Sequence, residues 1–116
     1  MHKLETNQHN TLIKTWDQLS HDLEMEDFPQ IPDAEIRMIQ AIAERVKQLL
    51  RGNPELLMSH LYRLDVDEAK VQKMIFENTD MPVHEGIAQL IWNRQKMRIQ
   101  TKEQYKQKPI DGWEDF

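Results

Sequence analysis

The five histidines are the side chains in this sequence best suited to hold a metal ion. A zinc site on one helix places two histidines four residues apart, so that both imidazoles project from the same face. No pair here has that spacing, so we predict neither a metal nor a cofactor. We expect His60, which lies in an apolar segment, to be partly buried and hydrogen-bonded. The five are His2, His9, His21, His60 and His84.

Acidic residues cluster at positions 21–27 and 65–68, which raises the question of calcium. A calcium loop alternates its oxygen ligands around a central glycine and closes on a glutamate, and neither cluster has that order. We interpret the first cluster as a solvated helix end. We interpret the second as a capping box, in which Asp65 and Glu68 satisfy backbone amides at the start of a helix.

Arg94 lies three residues after Ile91 and three before Met97, which predicts a guanidinium on the apolar face of the last helix. A buried charge is costly unless it has a partner. Two interpretations remain open. Arg94 forms a structural ion pair, with Asp65 or Glu55, or it belongs to an anion-binding site at a helix junction.

The basic stretch 94–108 contains six cations opposed only by Glu103, whereas residues 17–35 contain seven acids and no Lys or Arg. The two blocks could lie against each other, within one chain or across a homodimer formed through the last helix. A weak nucleic-acid-associated regulator is the alternative function. The net charge of −5 and the single aromatic of the stretch, Tyr105, do not favour binding to nucleic acid.

The segment 109–116 combines acids with aromatic side chains and is not helical by composition. Its aromatics either fold back onto the helices or dock into a basic, apolar groove on another protein. Trp113, Asp115 and Phe116 are therefore the candidate partner-binding residues. Because no nucleophile with a base, glycine-rich phosphate loop or catalytic carboxylate pair is recognisable, we predict a non-enzymatic binding or assembly module.

Three-and-four spacing of apolar residues predicts helices along almost the whole chain. The first covers about 11–27 and ends before the prolines at 29 and 32, after which Asp33 is predicted to cap the second. Gly52 is predicted to stop the second helix in a left-handed conformation. The apolar face of the first helix is Leu12, Trp16, Leu19 and Leu23; that of the second is Ile36, Ile39, Ala43, Val46 and Leu50, widened by Ile42 and Leu49.

Three further helices are predicted at about 54–64, 65–78 and 83–105. The first of these begins with the cap and first-turn proline Asn53-Pro54, is apolar nearly all round and is predicted to lie at the centre. The other two are predicted to bury Val71, Met74 and Ile75, and Ile87, Leu90, Ile91 and Met97. The fold class is therefore all-α: one compact bundle of four to five helices with a long C-terminal helix. It divides into a flexible N-terminus (1–10), a helical domain (11–108) and an acidic aromatic tail (109–116).

Two segments resemble a group of small bacterial helical proteins. Leu61-Tyr62-Arg63-Leu64-Asp65-Val66 matches that group's LYR-[LI]-DV segment, and residues 87–95 match its IA-x-LI-x-x-RQ segment. The resemblance covers roughly residues 40–100. It implies a helical fold and a bacterial cytosolic setting, and it implies no mechanism.

Composition narrows the setting further. The chain has 116 residues, enough for one core, with 39% hydrophobic and 30% charged residues. It has no cysteine, which excludes disulfides and thiolate chemistry. The first residues are too polar for a signal peptide, and no apolar run approaches the roughly 20 residues of a membrane span. We expect a cytoplasmic protein without a membrane partner, whose partner is another protein or a second copy of itself.

Overall fold

The computed structural model describes residues 2–25, 30–77 and 80–107, with side chains described from 9 to 105 within those ranges. These residues form five helices and no strand: α1 (His2–Asp22), α2 (Glu35–Gly52), α3 (Pro54–Arg63), α4 (Glu68–Phe76) and α5 (Val83–Gln107). The predicted all-α bundle with a long C-terminal helix is confirmed.

Helix α5 lies at the centre of the bundle, because α1, α2 and α4 all pack against it. Its Ile87, Ile91 and Trp92 are fully buried. Helix α3 packs mainly against α2, so its predicted central position is wrong. The apolar residues around α3 do not all face protein: Leu57 and Leu61 are buried, whereas Tyr62 is 87% exposed.

Helix α1 begins at His2, so residues 2–10, predicted as a flexible N-terminus, lie within it. Nothing between Lys3 and Asn10 breaks a helix, since the segment has neither proline nor glycine. The predicted apolar face is confirmed, with Trp16, Leu19 and Leu23 buried and Leu12 packed at its edge.

Both α1 and α3 end in a left-handed residue that is not glycine. After α1, Glu24 has φ 58°, and Met25 N–H donates to the Ser20 carbonyl at 2.7 Å. After α3, Asp65 has φ 58°, and Val66 N–H donates to the Leu61 carbonyl at 3.0 Å. These are Schellman ends, which usually place glycine at the left-handed position. Asp65 therefore closes α3 and does not begin α4, contrary to the predicted capping box.

The caps of α2 and α4 also differ from the prediction. The cap position of α2 is Ala34, without a side-chain bond, and Asp33 instead lies 3.4 Å from Arg37 Nε. Helix α4 is capped by Asp67, whose carboxylate accepts from Ala69 N–H at 2.9 Å. Asn53 caps α3 as predicted, accepting from Leu56 N–H at 3.1 Å. Gly52 is the last residue of α2 and is not left-handed, so its predicted role is wrong.

The buried face of α2 is rotated from the predicted one. Ile36 is 65% exposed, and Ile39 and Leu50 are only partly buried. The predicted face did not include Met38. Met38 and Ile42 begin the series of buried residues, and this series lies to one side of the predicted face. The buried residues of α2 are Met38, Ile42, Ala43, Val46 and Leu49.

Candidate functional site

The structure does not gather the histidines into a metal centre. His21 and His60 line the same cleft, where His21 is exposed and His60 is buried, whereas His9 is exposed on α1 and His84 is partly buried on α5. Among the residues with described side chains, no three His, Asp or Glu are placed to hold a metal ion. His60 is hydrogen-bonded, as predicted, but it is fully buried and not partly buried.

His60 faces a cleft of about 400 Å³ between the end of α1 and α3. Its Nδ1 lies 2.8 Å from Arg63 Nη2. A guanidinium can only donate, so Nδ1 accepts and the proton of the neutral ring is on Nε2. Nε2 lies 3.8 Å from the Glu24 carboxylate, beyond hydrogen-bonding distance, and has no other described partner. The cleft lining is His21, Asp22, Glu24, His60, Arg63 and Leu64.

This geometry favours the neutral imidazole of His60. Burial lowers the pKa of His60, and the nearby Arg63 and Arg45 charges lower it further, whereas Glu24 and Asp22 act in the opposite direction. A ring that keeps its Nε2 proton cannot ligate a metal through that nitrogen. The cleft therefore offers a buried hydrogen-bond donor rather than a metal ligand.

Arg94 has one of the two partners that its position predicted. Its Nη2 donates to Asp65 Oδ2 at 2.6 Å, and its side chain is partly buried. The Nε atom of the same guanidinium is buried without a partner among the described residues. The ion pair joins the turn after α3 to the middle of α5, so it fixes the α3–α4 connection against the central helix.

A second polar contact, between α2 and α5, was not predicted from the sequence. Glu35 Oε2 accepts from Trp92 Nε1 at 2.7 Å and from Lys96 Nζ at 2.8 Å. Burial by itself would raise the pKa of Glu35, but the hydrogen bonds from Lys96 and Trp92 outweigh it and the pKa is lowered. The spacing of four between Trp92 and Lys96 places both donors on one side of α5. That spacing was the available signal.

The two oppositely charged blocks touch at one described ion pair, that of Glu35 with Lys96. The described ion pair between α1 and α5 lies outside the acidic block and has the reverse order of charge, since Lys14 of α1 pairs with Glu103 of the basic stretch at 2.5 Å. The predicted alignment of the blocks within one chain is therefore confined to a single contact in the described part of the chain.

Two cations of the basic stretch thus form ion pairs, Arg94 with Asp65 and Lys96 with Glu35. Arg98 and Lys102 are exposed, and no ion pair is found for either among the described side chains. Beside them Met97 is 56% exposed and Tyr105 is 68% exposed. Met97, predicted to be buried, is on the surface. We call the exposed face formed by Met97, Arg98, Thr101, Lys102 and Tyr105 the α5 stripe.

The α5 stripe continues the side of α5 that α4 covers. A Cβ added at Gly86 would lie 2.6 Å from Met74 Sδ, which shows how closely α4 approaches there. The cover ends where Asp65 meets Arg94. Successive helical residues are about 100° apart, so positions 97, 101 and 105 follow 86, 90 and 94 on the same side. Beyond Arg94 this side has no described element packed on it.

Other apolar side chains are exposed on separate surfaces. Met58 and Tyr62 lie on one face of α3, above a shallow depression of about 670 Å³. Ile36 and Ile39 border a groove of about 330 Å³ between α2 and the start of α5. The α3 surface has one cation, Arg63, which donates to His60, and one acid, Glu55. The groove beside Ile36 and Ile39 is lined by no Lys or Arg among the described residues. Trp113, Asp115 and Phe116, the predicted partner-binding residues, lie outside the described residues.

The fold and these surfaces define a small helical bundle without a recognisable catalytic constellation among its described residues. No protein-family model matches the chain, and no match was found among the curated proteins or the solved structures. The resemblance to small bacterial helical proteins stays a prediction. In the described part of the chain, no helix combines the length and the apolar character required to cross a membrane.

Proposed function

We propose that this protein is a non-enzymatic protein-binding module and that its docking site is the α5 stripe. The observation that carries the proposal is the side of α5 that no described element covers, where Met97 and Tyr105 lie exposed beside Arg98 and Lys102, two cations without an ion pair among the described side chains. Large apolar side chains held on a rigid helix, with charges beside them, are typical of a helix face that binds a partner.

The chemistry of the α5 stripe favours a partner segment that carries both acids and aromatic rings. Carboxylates of the partner complement Arg98 and Lys102, and an aromatic ring packs well against a methionine thioether and a tyrosine. A symmetric pairing of two α5 stripes would instead bring cations against cations, which opposes a homodimer formed through this face alone.

The same geometry makes nucleic acid the weaker partner. The affinity of a surface for nucleic acid rises with the number of cations that can neutralise phosphates. Here Arg94 and Lys96 already form ion pairs with carboxylates of the chain. The net charge of −5 adds repulsion. Arg98 and Lys102 are therefore better suited to orient an acidic peptide than to hold a nucleic-acid strand.

Binding of a synthetic peptide tests the proposal. We expect a peptide with two tryptophans and three glutamates to bind the full chain, as measured by fluorescence anisotropy, and a serine-for-tryptophan version to bind at least tenfold more weakly. Met97→Ser with Tyr105→Ser should abolish binding. Tyr62→Ser with Phe76→Ser, which removes two exposed aromatics on α3 and α4, is the matched control and should leave it unchanged.

Two results would overturn the assignment. Equal loss of peptide binding in the α5 and control variants would mean that exposed apolar groups act without regard to position. Tighter binding of a single-stranded oligonucleotide than of the peptide, with a strong salt dependence lost in Arg98→Ala with Lys102→Ala, would make the protein a nucleic-acid binder.

A further inference from the structure

We propose that the cleft between the end of α1 and α3 binds a small neutral molecule that carries a carbonyl oxygen beside an N–H, as an amide or a lactam does. In this site His60 donates to the carbonyl oxygen of the ligand, and Glu24 accepts from its N–H. The site goes beyond the proposed docking function, because its lining shares no residue with the α5 stripe.

The ring of His60 is the group that indicates a ligand. It is only 2% exposed, and its Nε2 atom has no hydrogen-bond partner among the described residues. Arg63 holds the opposite nitrogen, Nδ1, at 2.8 Å, and Nε2 is turned toward Glu24, which lines the same cleft. Nearly all buried polar groups in proteins are hydrogen-bonded. The buried Nε2 proton therefore requires an acceptor that enters the cleft.

Glu24 supplies an acceptor on the other side of the cleft. Its Oε2 atom lies 3.8 Å from His60 Nε2, which is too far for a direct hydrogen bond. Two neighbouring atoms on one edge of a planar group can bond to both. The backbone that carries this carboxylate is fixed, because Glu24 is the left-handed residue that ends α1 and Arg45 Nε donates to the adjacent Leu23 carbonyl at 2.7 Å.

The charges around the cleft favour a neutral ligand. The carboxylates of Asp22 and Glu24 oppose the binding of an anion such as phosphate. A simple cation offers no acceptor, so it would leave the Nε2 proton of His60 without a partner. An amide or lactam edge has one acceptor and one donor side by side, and it satisfies His60 and Glu24 together.

The cleft also has the size of a small-ligand site. Its volume is about 400 Å³, which lies in the range of roughly 300–1,000 Å³ that ligand pockets occupy. One water molecule takes up only about 30 Å³. Leu64, which is 5% exposed, adds an apolar wall against which the carbon atoms of a ring can pack. The cleft can therefore accommodate a ring-sized molecule and not only a bridging water.

Titration of the full chain with 2-piperidone, a six-membered lactam, tests the proposal by NMR. We expect saturable shifts of the backbone amide signals of residues that line the cleft, with a Kd on the order of 1 mM. N-Methyl-2-piperidone keeps the carbonyl oxygen but lacks the N–H. We expect it to bind roughly tenfold more weakly, because Glu24 is then left without a donor.

Two variants assign the binding to the two protein groups. Glu24→Gly removes the carboxylate and keeps the fold, since glycine suits the left-handed position, and it should weaken lactam binding about tenfold. Asp65→Gly makes the same exchange at the left-handed end of α3 and is the matched control, which should bind as the unsubstituted protein does. His60→Asn keeps an acceptor for Arg63, but its shorter side chain does not reach the position of Nε2, so binding should weaken as well.

Three results would overturn the proposal. The absence of saturable shifts at a concentration about twentyfold above the expected Kd would mean that the cleft holds water only. Equal binding of the two lactams would mean that no N–H is recognised. Equal losses in Glu24→Gly and Asp65→Gly would mean that the carboxylate of Glu24 has no specific role. Met97→Ser with Tyr105→Ser should leave lactam binding unchanged, which separates this site from the docking function of the α5 stripe.

Discussion

At the scale of single residues, Asp65 and Asp67 have different structural roles although only one residue separates them. Asp65 is the left-handed residue that closes α3 and accepts a hydrogen bond from Arg94, whereas Asp67 caps α4. Sequence alone assigned the cap to Asp65, because Asp-Val-Asp-Glu contains two residues that can both begin a helix. The left-handed φ of Asp65 and the hydrogen bond from Ala69 N–H to Asp67 distinguish them, and both are visible only in the structure.

The salt dependence of stability should distinguish the ion-pair role of Asp65 from the capping role of Asp67. Asp65→Asn keeps a residue that tolerates the left-handed conformation but removes the charge, and since the pair is partly exposed we expect a loss of less than about 1 kcal/mol in the free energy of unfolding. That loss should vanish in 1 M NaCl. Asp67→Ala should cost about 1 kcal/mol at any salt concentration, because a cap hydrogen bond is lost. Urea denaturation at two salt concentrations measures both. A loss for Asp65→Asn that persists in high salt would contradict the ion-pair role.

His60 should make the stability of the protein depend on pH. The pKa of His60 is lowered in the folded state, so the unfolded chain takes up a proton at His60 at a higher pH than the folded one. The contribution of the neutral ring is complete above the unfolded pKa of about 6.5 and is lost as the pH falls through the lower folded pKa. The charged groups that face it are Arg63, Arg45, Glu24 and Asp22.

Denaturation of the protein and of His60→Asn at pH 7.5 and pH 5.5 measures this effect. Asparagine can still accept from Arg63 through its oxygen but does not titrate. We expect the free energy of unfolding of the unsubstituted protein to fall more between the two pH values than that of His60→Asn. His9→Asn, at an exposed position on α1, is the control and should follow the unsubstituted protein. An identical pH response in all three proteins would rule out a role for His60.

At the scale of helices, Gly52 and Gly86 differ in the space available for a side chain. A Cβ at Gly52 would meet no atom within 4 Å, whereas one at Gly86 would lie 2.6 Å from Met74 Sδ. Both lie in helices, where alanine is favoured over glycine by up to about 1 kcal/mol. We expect Gly52→Ala to raise the free energy of unfolding by about 0.5–1 kcal/mol. Gly86→Ala should gain less or lose, because the end of Met74 must move. Thermal denaturation gives the order, and a larger gain for Gly86→Ala would contradict it.

The helices themselves were predictable from the sequence, but the sides that they bury were less so. Spacing of apolar residues located the helices and their order, and placed Trp16, Leu19 and Leu23 in the core. It failed where a helix has more apolar residues than it can bury: Ile36 on α2, Tyr62 on α3 and Met97 on α5 are exposed because no described neighbour covers them. Which side is covered depends on the partners of each helix, which one-dimensional spacing does not contain.

The candidate site shows the same division. The basic stretch and the pairing of Arg94 with Asp65 or Glu55 could be predicted, because charge and helical position are sequence properties. The contact of Glu35 with Trp92 and Lys96 could be predicted only in part: the spacing places both donors on one side of α5, but it does not identify an acceptor about 60 positions away. That contact decides the character of the stretch, because it removes Lys96 from the exposed cations and leaves Arg98 and Lys102 beside Met97 and Tyr105.

At the scale of the whole molecule, the central position of α5 should make unfolding cooperative. Ile91 of α5 is fully buried in the core that α1, α2 and α5 share, and buried tryptophans report from both ends of the sequence, Trp16 on α1 and Trp92 on α5. Ile91→Ala removes apolar contacts and leaves a cavity, for which we expect a loss of about 2–5 kcal/mol in the free energy of unfolding. Ile36→Ala makes the same change at a largely exposed position and should cost less than about 1 kcal/mol.

Far-ultraviolet circular dichroism and tryptophan fluorescence should give one coincident transition for each variant. Equal losses at Ile91 and Ile36 would contradict the register of α2 and the central place of α5, whereas a helical signal that outlasts the tryptophan signal would show that the helices do not share one core.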